Sequence, residues 1–293
     1  MDVLLATFNG EKYLEEQLES LDCQEDVNVR VWANDDGSTD ETLTILKRWQ
    51  RKGLIKEISK SQGVGSTGAF LRLLSEHSDS EFVAFCDQDD IWEPKKLAIQ
   101  LLKITNGKPA CVTSQRLFID DSNRIIGASK KLRISPSFEN AMFENIAPGN
   151  TLLLNNQAIN AINRYQDAPI KHYDSWIYLL LTFVGEVEYI HQPLLRYRIH
   201  ETNFVGLRKY SVDRFIDSIE GYLSQIRFLY KINERDLKKG QNSSLTKLIL
   251  IGEYKSKMKK LISILRYPLL RQRRIDQMGM KLALLVLVFT SSF

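Results

Sequence analysis

Short apolar runs alternate with helical patterns over the first 119 residues of this 293-residue chain. Leu14, Leu18 and Leu21 recur at helical spacing after the first run, and Leu43 and Leu46 do so after the second. Such alternation favours parallel strands joined by crossover helices. The pattern therefore predicts an α/β fold with a mixed, mainly parallel sheet flanked by helices. The strand-like runs are Val3–Thr7, Val29–Ala33, Ile55–Ser59, Phe82–Cys86 and Ala110–Ile119.

Local signals add detail to this pattern. Ser38 and Glu41 form a capping-box pair, which predicts a second helix that starts directly after position 37. Pro94 stands where the first turn of a further helix is expected. Residues Ile119–Ile126 are typical of a hairpin, and Pro148–Leu154 returns to strand character.

The charge of the chain is divided unevenly. Residues 208–293 contain 18 Lys and Arg against 7 Asp and Glu, whereas residues 1–207 contain 22 against 29, and the net charge is +4. After about residue 206 the pattern is helical and basic. An acidic part that holds a cation, followed by a basic tail, suits an enzyme that touches an anionic surface. A solvated helical face is the alternative interpretation.

The end of the chain bears on this choice. The apolar run Leu282–Phe289 is shorter than the roughly 20 residues of a spanning helix. Because Arg271, Arg273, Arg274 and Lys281 precede it, we expect an interfacial membrane anchor, with a buried terminal helix as the alternative.

The cysteines and the start of the chain indicate a compartment. The three cysteines are scattered, without the spacing of a disulfide framework or a zinc site. Asp2 is followed directly by a strand-like run, so no signal peptide is expected at this start. Both observations favour a cytoplasmic protein.

Polar segments follow three of the predicted strands, where an open α/β sheet places its binding crevice. They are Ala6-Thr-Phe-Asn-Gly-Glu11, Asn34-Asp-Asp-Gly-Ser-Thr-Asp40 and Phe85-Cys-Asp-Gln-Asp-Asp90. The first, taken alone, is more typical of a plain strand–turn–helix junction. In the second, a carboxylate could cap the helix, but Ser38 already offers a cap, so a second carboxylate is free to accept bonds from a base or ribose. The third crowds Asp87, Asp89 and Asp90 into four positions, which is costly unless a cation compensates. Carboxylates so placed, completed by substrate phosphates, suit Mg²⁺ or Mn²⁺.

Two further segments contain titratable groups. In His172-Tyr-Asp-Ser-Trp176, Asp174 lies where a helix is expected to start, and a helix cap is the simpler interpretation of that carboxylate. Downstream, Arg196, Arg198 and His200 alternate and would share one face of a strand. Such a cluster suits contacts to a diphosphate or its metal.

The order and spacing of these segments resemble the family-2 inverting glycosyltransferases of the GT-A fold, a Rossmann-like architecture. The strings Cys-Asp-Gln-Asp-Asp-Ile-Trp-Glu-Pro-Lys-Lys-Leu and Tyr-Arg-x-His-x-x-Asn-x-x-Gly are most similar to the bacterial rhamnosyltransferase branch. The resemblance covers residues 1–206. It implies a catalytic domain with a nucleotide-binding half, 1–110, and an acceptor-binding half, 111–206, followed by a helical, basic C-terminal region, 207–293.

The resemblance also implies roles for individual residues. Asp174 would be the general base, and Asp89 and His200 would hold Mn²⁺ or Mg²⁺. Many relatives have Glu-Asp at the position of the base, whereas Tyr173 precedes Asp174 here. The implied nucleotide-sugar contacts are Thr7, Asn9, Glu11, Asp35, Asp36 and Asp87, with Arg196 and Arg198 added from the cationic cluster. The implied acceptor contacts are Gly149, Asn150 and Trp176.

The resemblance implies an enzyme that transfers a sugar to a surface glycan or lipid-linked glycan at the inner face of the membrane. The first choice of donor is dTDP-rhamnose, which would supply rhamnose. A UDP-hexose donor and a non-catalytic sugar-binding or scaffold protein are the alternatives kept open. A processive synthase is disfavoured because the chain lacks a Gln-x-x-Arg-Trp segment. Nucleic acid is not an expected partner, since the basic tail lacks interleaved aromatic platforms. The sequence leaves the oligomeric state open.

Overall fold

The computed structural model describes residues 1–200, 212–236 and 257–267, together with positions 248, 251, 271, 272, 278, 280–282 and 284. The strands are β1 (Asp2–Thr7), β2 (Arg30–Asp35), β3 (Ile55–Lys60), β4 (Phe82–Cys86), β5 (Ile91–Trp92), β6 (Ala110–Ile119), β7 (Ile125–Ala128), β8 (Leu153–Asn155) and β9 (Glu186–Arg198). The helices are α1 (Leu14–Asp22), α2 (Thr42–Lys52), α3 (Gly65–Glu76), α4 (Lys96–Leu101), α5 (Phe138–Ala141), α6 (Asn156–Arg164), α7 (Tyr173–Val184), α8 (Val212–Asp236) and α9 (Lys257–Arg266).

The strands form one mixed sheet in the order β3-β2-β1-β4-β8-β6-β9-β5, with β7 paired to β6. The first four strands pair in parallel, as the alternation of apolar runs and helical patterns predicts. Strand β8 is antiparallel to both β4 and β6 and so joins the two halves of the sheet. The predicted α/β fold class is confirmed.

The capping-box prediction for the second helix is wrong. Helix α2 starts at Thr42, and the carboxylate of Asp40 accepts the backbone N–H of Thr42 at 3.0 Å. The Ser38 hydroxyl instead donates to Asp35 Oδ1 at 2.5 Å and accepts the Asn9 N–H at 2.9 Å. Local spacing predicts that Ser38 caps the helix, but its hydroxyl is hydrogen-bonded to Asp35 and to the loop after β1.

The segment Pro148–Leu154 is only partly a strand. Residues Gly149–Thr151 form a single 3₁₀ turn before β8 begins at Leu153. The predicted hairpin is confirmed, with Asn123 in the left-handed region at φ 62°. Helix α4 begins at Lys96, two residues after Pro94.

The chain divides into two compact units. Unit 1 comprises 1–131, 147–166 and 172–208 and holds the whole sheet; unit 2 comprises 132–146, 167–171 and 209–293. Within unit 2, the Gln272 amide holds the 132–146 segment by accepting the N–H of Arg133 at 2.7 Å and donating to the Ile134 carbonyl at 2.8 Å. Of the described residues, no helix combines the length and the apolar character needed to cross a bilayer. Most of the predicted apolar anchor, Leu282–Phe289, lies outside the described residues.

Candidate active site

The loops that follow β1, β2 and β4 meet at one edge of the sheet, because these three strands are parallel neighbours. The side-chain amide of Gln88 fastens the first loop to the third, accepting the Phe8 N–H at 2.8 Å and donating to the Phe8 carbonyl at 3.0 Å. A Cβ on Gly10 would fall 2.3 Å from Gln88 Oε1, so a larger residue at position 10 would displace the Gln88 amide from Phe8. Sequence reasoning assigned no role to Gln88, although it lies inside the acidic motif.

The first two loops are joined by the side chains that were predicted to line a nucleotide pocket. Thr7 Oγ1 donates to Asp35 Oδ1 at 3.0 Å. Asn9 Oδ1 accepts the Thr39 N–H, and Glu11 Oε2 accepts the Glu41 N–H, both at 2.9 Å. Thr7, Asn9 and Glu11 therefore give the edge a fixed shape.

The two adjacent carboxylates after β2 have different surroundings. Asp36 accepts the Ser61 hydroxyl at 2.8 Å and the N–H groups of Val64 and Gly65 at 3.0 and 2.8 Å. Burial acts to raise the pKa of Asp36, but these hydrogen bonds outweigh it and hold the pKa below its usual range. Asp36 thus anchors the start of α3, whereas Asp35 is bonded to Thr7 and Ser38 at the loop junction.

The acidic motif after β4 brings three carboxylates together. Asp90 is fully buried and accepts Asn150 Nδ2 at 2.5 Å. Burial, together with the charges of Asp89 and Asp87, raises the pKa of Asp90 well above its usual range. Burial also raises the pKa of Asp87 to about 7, with the charges of Asp89 and Asp174 adding to it. Such mutual repulsion is what a bound cation relieves.

Arg116 on β6 is a cation that sequence reasoning missed. Its charge opposes the rise in the pKa of both Asp87 and Asp90. The guanidinium lies 4.7 Å from the ring of Tyr197. No local pattern marked Arg116, because its proximity to the acidic motif depends on the order of the strands.

Asp89 and His200 form a pair suited to a divalent metal. His200 Nε2 lies 2.9 Å from Asp89 Oδ2, and the side chains are 11 % and 15 % exposed. Carboxylate oxygen and imidazole nitrogen are both ligands of Mn²⁺, and substrate phosphates commonly complete the coordination shell. Within the described residues, no preformed set of three or more His, Cys, Asp or Glu ligands occurs. The pair fits a metal that is bound together with a diphosphate.

Asp174 lies in the first turn of α7, as predicted, but His172 occupies the N-cap position. The Asp174 carboxylate accepts the N–H of Ser175 at 2.7 Å. The charge on Asp174 adds to the raised pKa of Asp87. The ring of Tyr173, the residue before Asp174, lies 5.1 Å from the ring of Phe85 on β4. The start of α7 therefore lies near the strand that the acidic motif follows.

The predicted acceptor residues are located differently from the expectation. Trp176 is 0 % exposed and Asn150 is 2 % exposed, so neither side chain offers surface to an acceptor. Asn150 instead holds Asp90. Gly149 lies against Tyr173, the residue before the predicted base. Asn150 and Gly149 therefore contact residues of the site, and Trp176 belongs to the core.

The two predicted cationic contacts also differ from each other. Arg196 pairs with Glu93 at 2.8 Å, and its side chain is 40 % exposed. Arg198 is fully buried and bonded to protein groups.

A cavity of about 630 Å³ opens beside His200 and is lined on its other sides by Asn9, Tyr13 and the loop between β6 and β7.

The close contact at Gly149 gives a stability prediction. A Cβ on Gly149 would fall 1.7 Å from Tyr173 Oη, and the Tyr173 ring is held by Phe70 and Phe85 at centroid distances of 4.6 and 5.1 Å. We expect Gly149→Ala to lower the free energy of unfolding by about 1–3 kcal/mol through overpacking. Urea denaturation followed by tryptophan fluorescence measures this.

Gly127→Ala is the matched control, because its Cβ would meet Phe118 at an ordinary 3.4 Å. Equal effects of the two substitutions would contradict the close contact at Gly149.

The mixed sheet, with polar loops at the carboxyl ends of β1, β2 and β4, is typical of an α/β protein that binds a nucleotide at this edge. Residues 2–178 match the family described as glycosyl transferase family 2, and the chain belongs to that family. It is similar to the dTDP-rhamnosyl transferase RfbG of Shigella flexneri, with 31 % identity over 220 residues, 69 % of this chain and 73 % of that protein. The expected resemblance to this family, near rhamnosyltransferases, is confirmed.

Two solved structures share the fold. Residues 1–349 of TarS from S. aureus, in complex with UDP-GlcNAc, align with a TM-score of 0.63 at 16 % identity, covering 97 % of this chain and 81 % of that one. The mannosyltransferase PcManGT from Pyrobaculum calidifontis, in complex with GDP-Man and Mn²⁺, aligns with a TM-score of 0.55 at 16 % identity, covering 99 % and 82 %. At this identity the likeness establishes the GT-A fold.

Proposed function

We propose that this enzyme transfers rhamnose from dTDP-rhamnose to a bacterial surface glycan or lipid-linked glycan, with inversion at the anomeric carbon. The observation that carries the proposal is the contact of Tyr173, the residue before Asp174 on α7, with Phe85 of β4, the strand that the acidic motif follows. The choice of rhamnose is supported by the similarity to a protein named dTDP-rhamnosyl transferase.

In the proposed reaction, Asp174 removes the proton from the acceptor hydroxyl as its oxygen attacks the anomeric carbon. Attack from the face opposite the diphosphate inverts that carbon in one displacement, without a covalent sugar–enzyme intermediate. Asp89 and His200 would hold Mn²⁺ or Mg²⁺, which when bound stabilises negative charge on the departing diphosphate. One carboxylate then suffices, in contrast to the two of most glycosidases.

The remaining proposed contacts belong to the donor. Asn9 and Glu11, which are exposed, would contact the nucleotide, and the buried side chains of Thr7, Asp35 and Asp36 would hold the loops that form its pocket. The bond from Thr7 to Asp35, and the bonds that Asn9 and Glu11 accept from the N–H groups of Thr39 and Glu41, fix the pocket before the donor arrives. This lowers the ordering cost of binding. Asp87, the first carboxylate of the acidic motif, would face the ribose.

The test of this function is a panel of donors offered to the purified chain with and without Mn²⁺. We expect dTDP-rhamnose to be bound and slowly hydrolysed only with metal, and UDP-GlcNAc, UDP-glucose and UDP-galactose to be bound more weakly. Preference for a UDP-hexose would keep the enzyme class and replace the donor. If no nucleotide sugar binds in any metal condition, the scaffold alternative takes its place.

A membrane-facing location is proposed for unit 2. Helix α9 exposes Ile262 and Leu265, and Lys281 Nζ donates to the Leu265 carbonyl at 2.8 Å. Met278 and Leu282, on either side of Lys281, are also exposed. Exposed apolar groups among basic residues suit the surface of an anionic bilayer.

Replacing both Ile262 and Leu265 by aspartate is expected to lower the partition coefficient onto phosphatidylglycerol vesicles by at least about tenfold, since two apolar anchors are lost and two negative charges are gained. Co-sedimentation with the vesicles measures this coefficient. The same exchange at Ile125 and Ile126, which are exposed on β7 in unit 1, is the control. Equal loss at both pairs would contradict a docking face on α9.

A further inference from the structure

Arg198, the last residue of β9, is a charged side chain with no exposed surface. Its Nη2 donates to Glu16 Oε2 at 2.6 Å, and its guanidinium lies 4.5 Å from the ring of Tyr13. A buried guanidinium is stable only where protein groups replace the water it has lost. The partners of Arg198 therefore indicate what its burial achieves.

The other partners of Arg198 come from two separate loops. Nη1 donates to Asn123 Oδ1 at 2.6 Å and to the Asp120 carbonyl at 3.2 Å, both in the loop that joins β6 to β7. Nε donates to the carbonyl of Asp89 at 3.0 Å. One planar side chain thus links α1, the hairpin loop Asp120–Arg124 and the acidic motif, a geometry that lysine cannot reproduce.

The backbone of Arg198 strengthens the same link. Its N–H donates to Asp90 Oδ1 at 3.2 Å, and His200 follows two residues later. Arg198 thus bonds to the Asp89 carbonyl and to Asp90, the next residue. His200 is held from the other side, because it follows Arg198 by two residues in the same chain segment. Tyr13 adds a second support, with its ring centroid 5.0 Å from that of His200 and its hydroxyl donating to Asp121 Oδ1 at 2.7 Å.

We infer that Arg198, braced by Asn123 of the hairpin loop, is a positioning residue that holds Asp89 and His200 at the spacing a divalent metal requires, and that it does not itself contact the diphosphate. A diphosphate could reach the guanidinium only if the hairpin loop moved away, because the side chain has no exposed surface. The inference rests on the proposed function, in which Asp89 and His200 bind the metal.

The test compares Arg198→Lys and Asn123→Gly with the wild-type full chain. Glycine at 123 removes the side-chain acceptor and still allows the left-handed backbone, φ 62°, of that position. Arg72→Met is the control, an arginine in an exposed ion pair with Glu76 on α3. Binding of dTDP is measured by calorimetry over a series of Mn²⁺ concentrations, with circular dichroism to check folding.

If Arg198 is a positioning residue, both variants need about tenfold more Mn²⁺ to reach half of the maximal dTDP affinity, since supporting partners of a metal site typically contribute about 10–100-fold. At saturating Mn²⁺ the dTDP affinity of both variants then lies within about twofold of the wild type, because excess Mn²⁺ again fills the site formed by Asp89 and His200. Arg72→Met changes neither quantity.

The remaining outcomes are decisive in other ways. A dTDP affinity that stays weak at saturating Mn²⁺ in Arg198→Lys, with Asn123→Gly unchanged, would mean that Arg198 contacts the diphosphate directly. Unchanged Mn²⁺ dependence in both variants would overturn the inference, and Asn123→Gly alone decides the matter if Arg198→Lys does not fold. If the wild type binds neither dTDP nor UDP with Mn²⁺, the proposed function fails instead.

Discussion

Replacing Asp174 by asparagine is expected to lower the rate of sugar transfer by roughly 100- to 10,000-fold, the usual contribution of a general base. The amide keeps the shape of the side chain and its hydrogen bond from the Ser175 N–H, but it cannot take the acceptor proton. Donor affinity with Mn²⁺ is expected to remain unchanged or to rise slightly, because one negative charge near the diphosphate is removed. Transfer rates at saturating donor, together with donor titrations, measure both quantities.

The control for this prediction is Asp79→Asn, an exposed aspartate before β4. It should leave transfer within about twofold of the wild type, as surface substitutions commonly do. If Asp174→Asn transferred sugar at the wild-type rate, the base would lie elsewhere, and Asp87 would be tested next because its pKa is raised to about 7.

Asp89→Asn is expected to abolish the effect of Mn²⁺ on donor binding, a loss of at least about 100-fold in affinity at a fixed metal concentration, or about 2.7 kcal/mol. Even residues that support a metal ligand indirectly contribute about 10–100-fold, so a direct ligand should contribute no less. Without metal, neither the variant nor the wild type is expected to bind the donor appreciably. Titration of donor at several Mn²⁺ concentrations separates the two effects.

His200→Asn tests the second member of the pair, and His191→Asn is its control. His191 lies on β9 and is exposed, whereas His200 follows β9 by two residues and its Nε2 lies 2.9 Å from Asp89 Oδ2. We expect only His200→Asn to raise the Mn²⁺ requirement. A metal dependence that survives both Asp89→Asn and His200→Asn would show that the cation is held by other residues.

The strands that build the site could be predicted from the sequence. Apolar runs such as Phe82–Cys86 and Ala110–Ile119 match β4 and β6, because the period of apolar residues is a local property of the chain. The helix that carries Asp174 was predicted for the same reason. The crowding of acidic residues after β4 predicts a bound cation, and this stays a prediction.

The roles of individual polar side chains could not be predicted in this way. Local spacing makes Ser38 a helix cap and Arg198 a diphosphate contact, yet the structure bonds Ser38 to Asp35 and buries Arg198 among three distant segments. Trp176 and Asn150, which the resemblance makes acceptor contacts, are likewise buried. Which polar group is buried depends on partners far apart in sequence.

The sequence by itself determined the sheet-and-helix alternation, the family and the segments that carry carboxylates, since each follows from periodicity or from neighbouring residues. Only the tertiary structure decided which of those residues face one another. The pairing of Asp89 with His200, the support of Asp90 by Asn150 and the link from Arg198 to the hairpin loop all join residues at least 60 positions apart. Such contacts depend on strand order and the burial of charge, which no local pattern specifies.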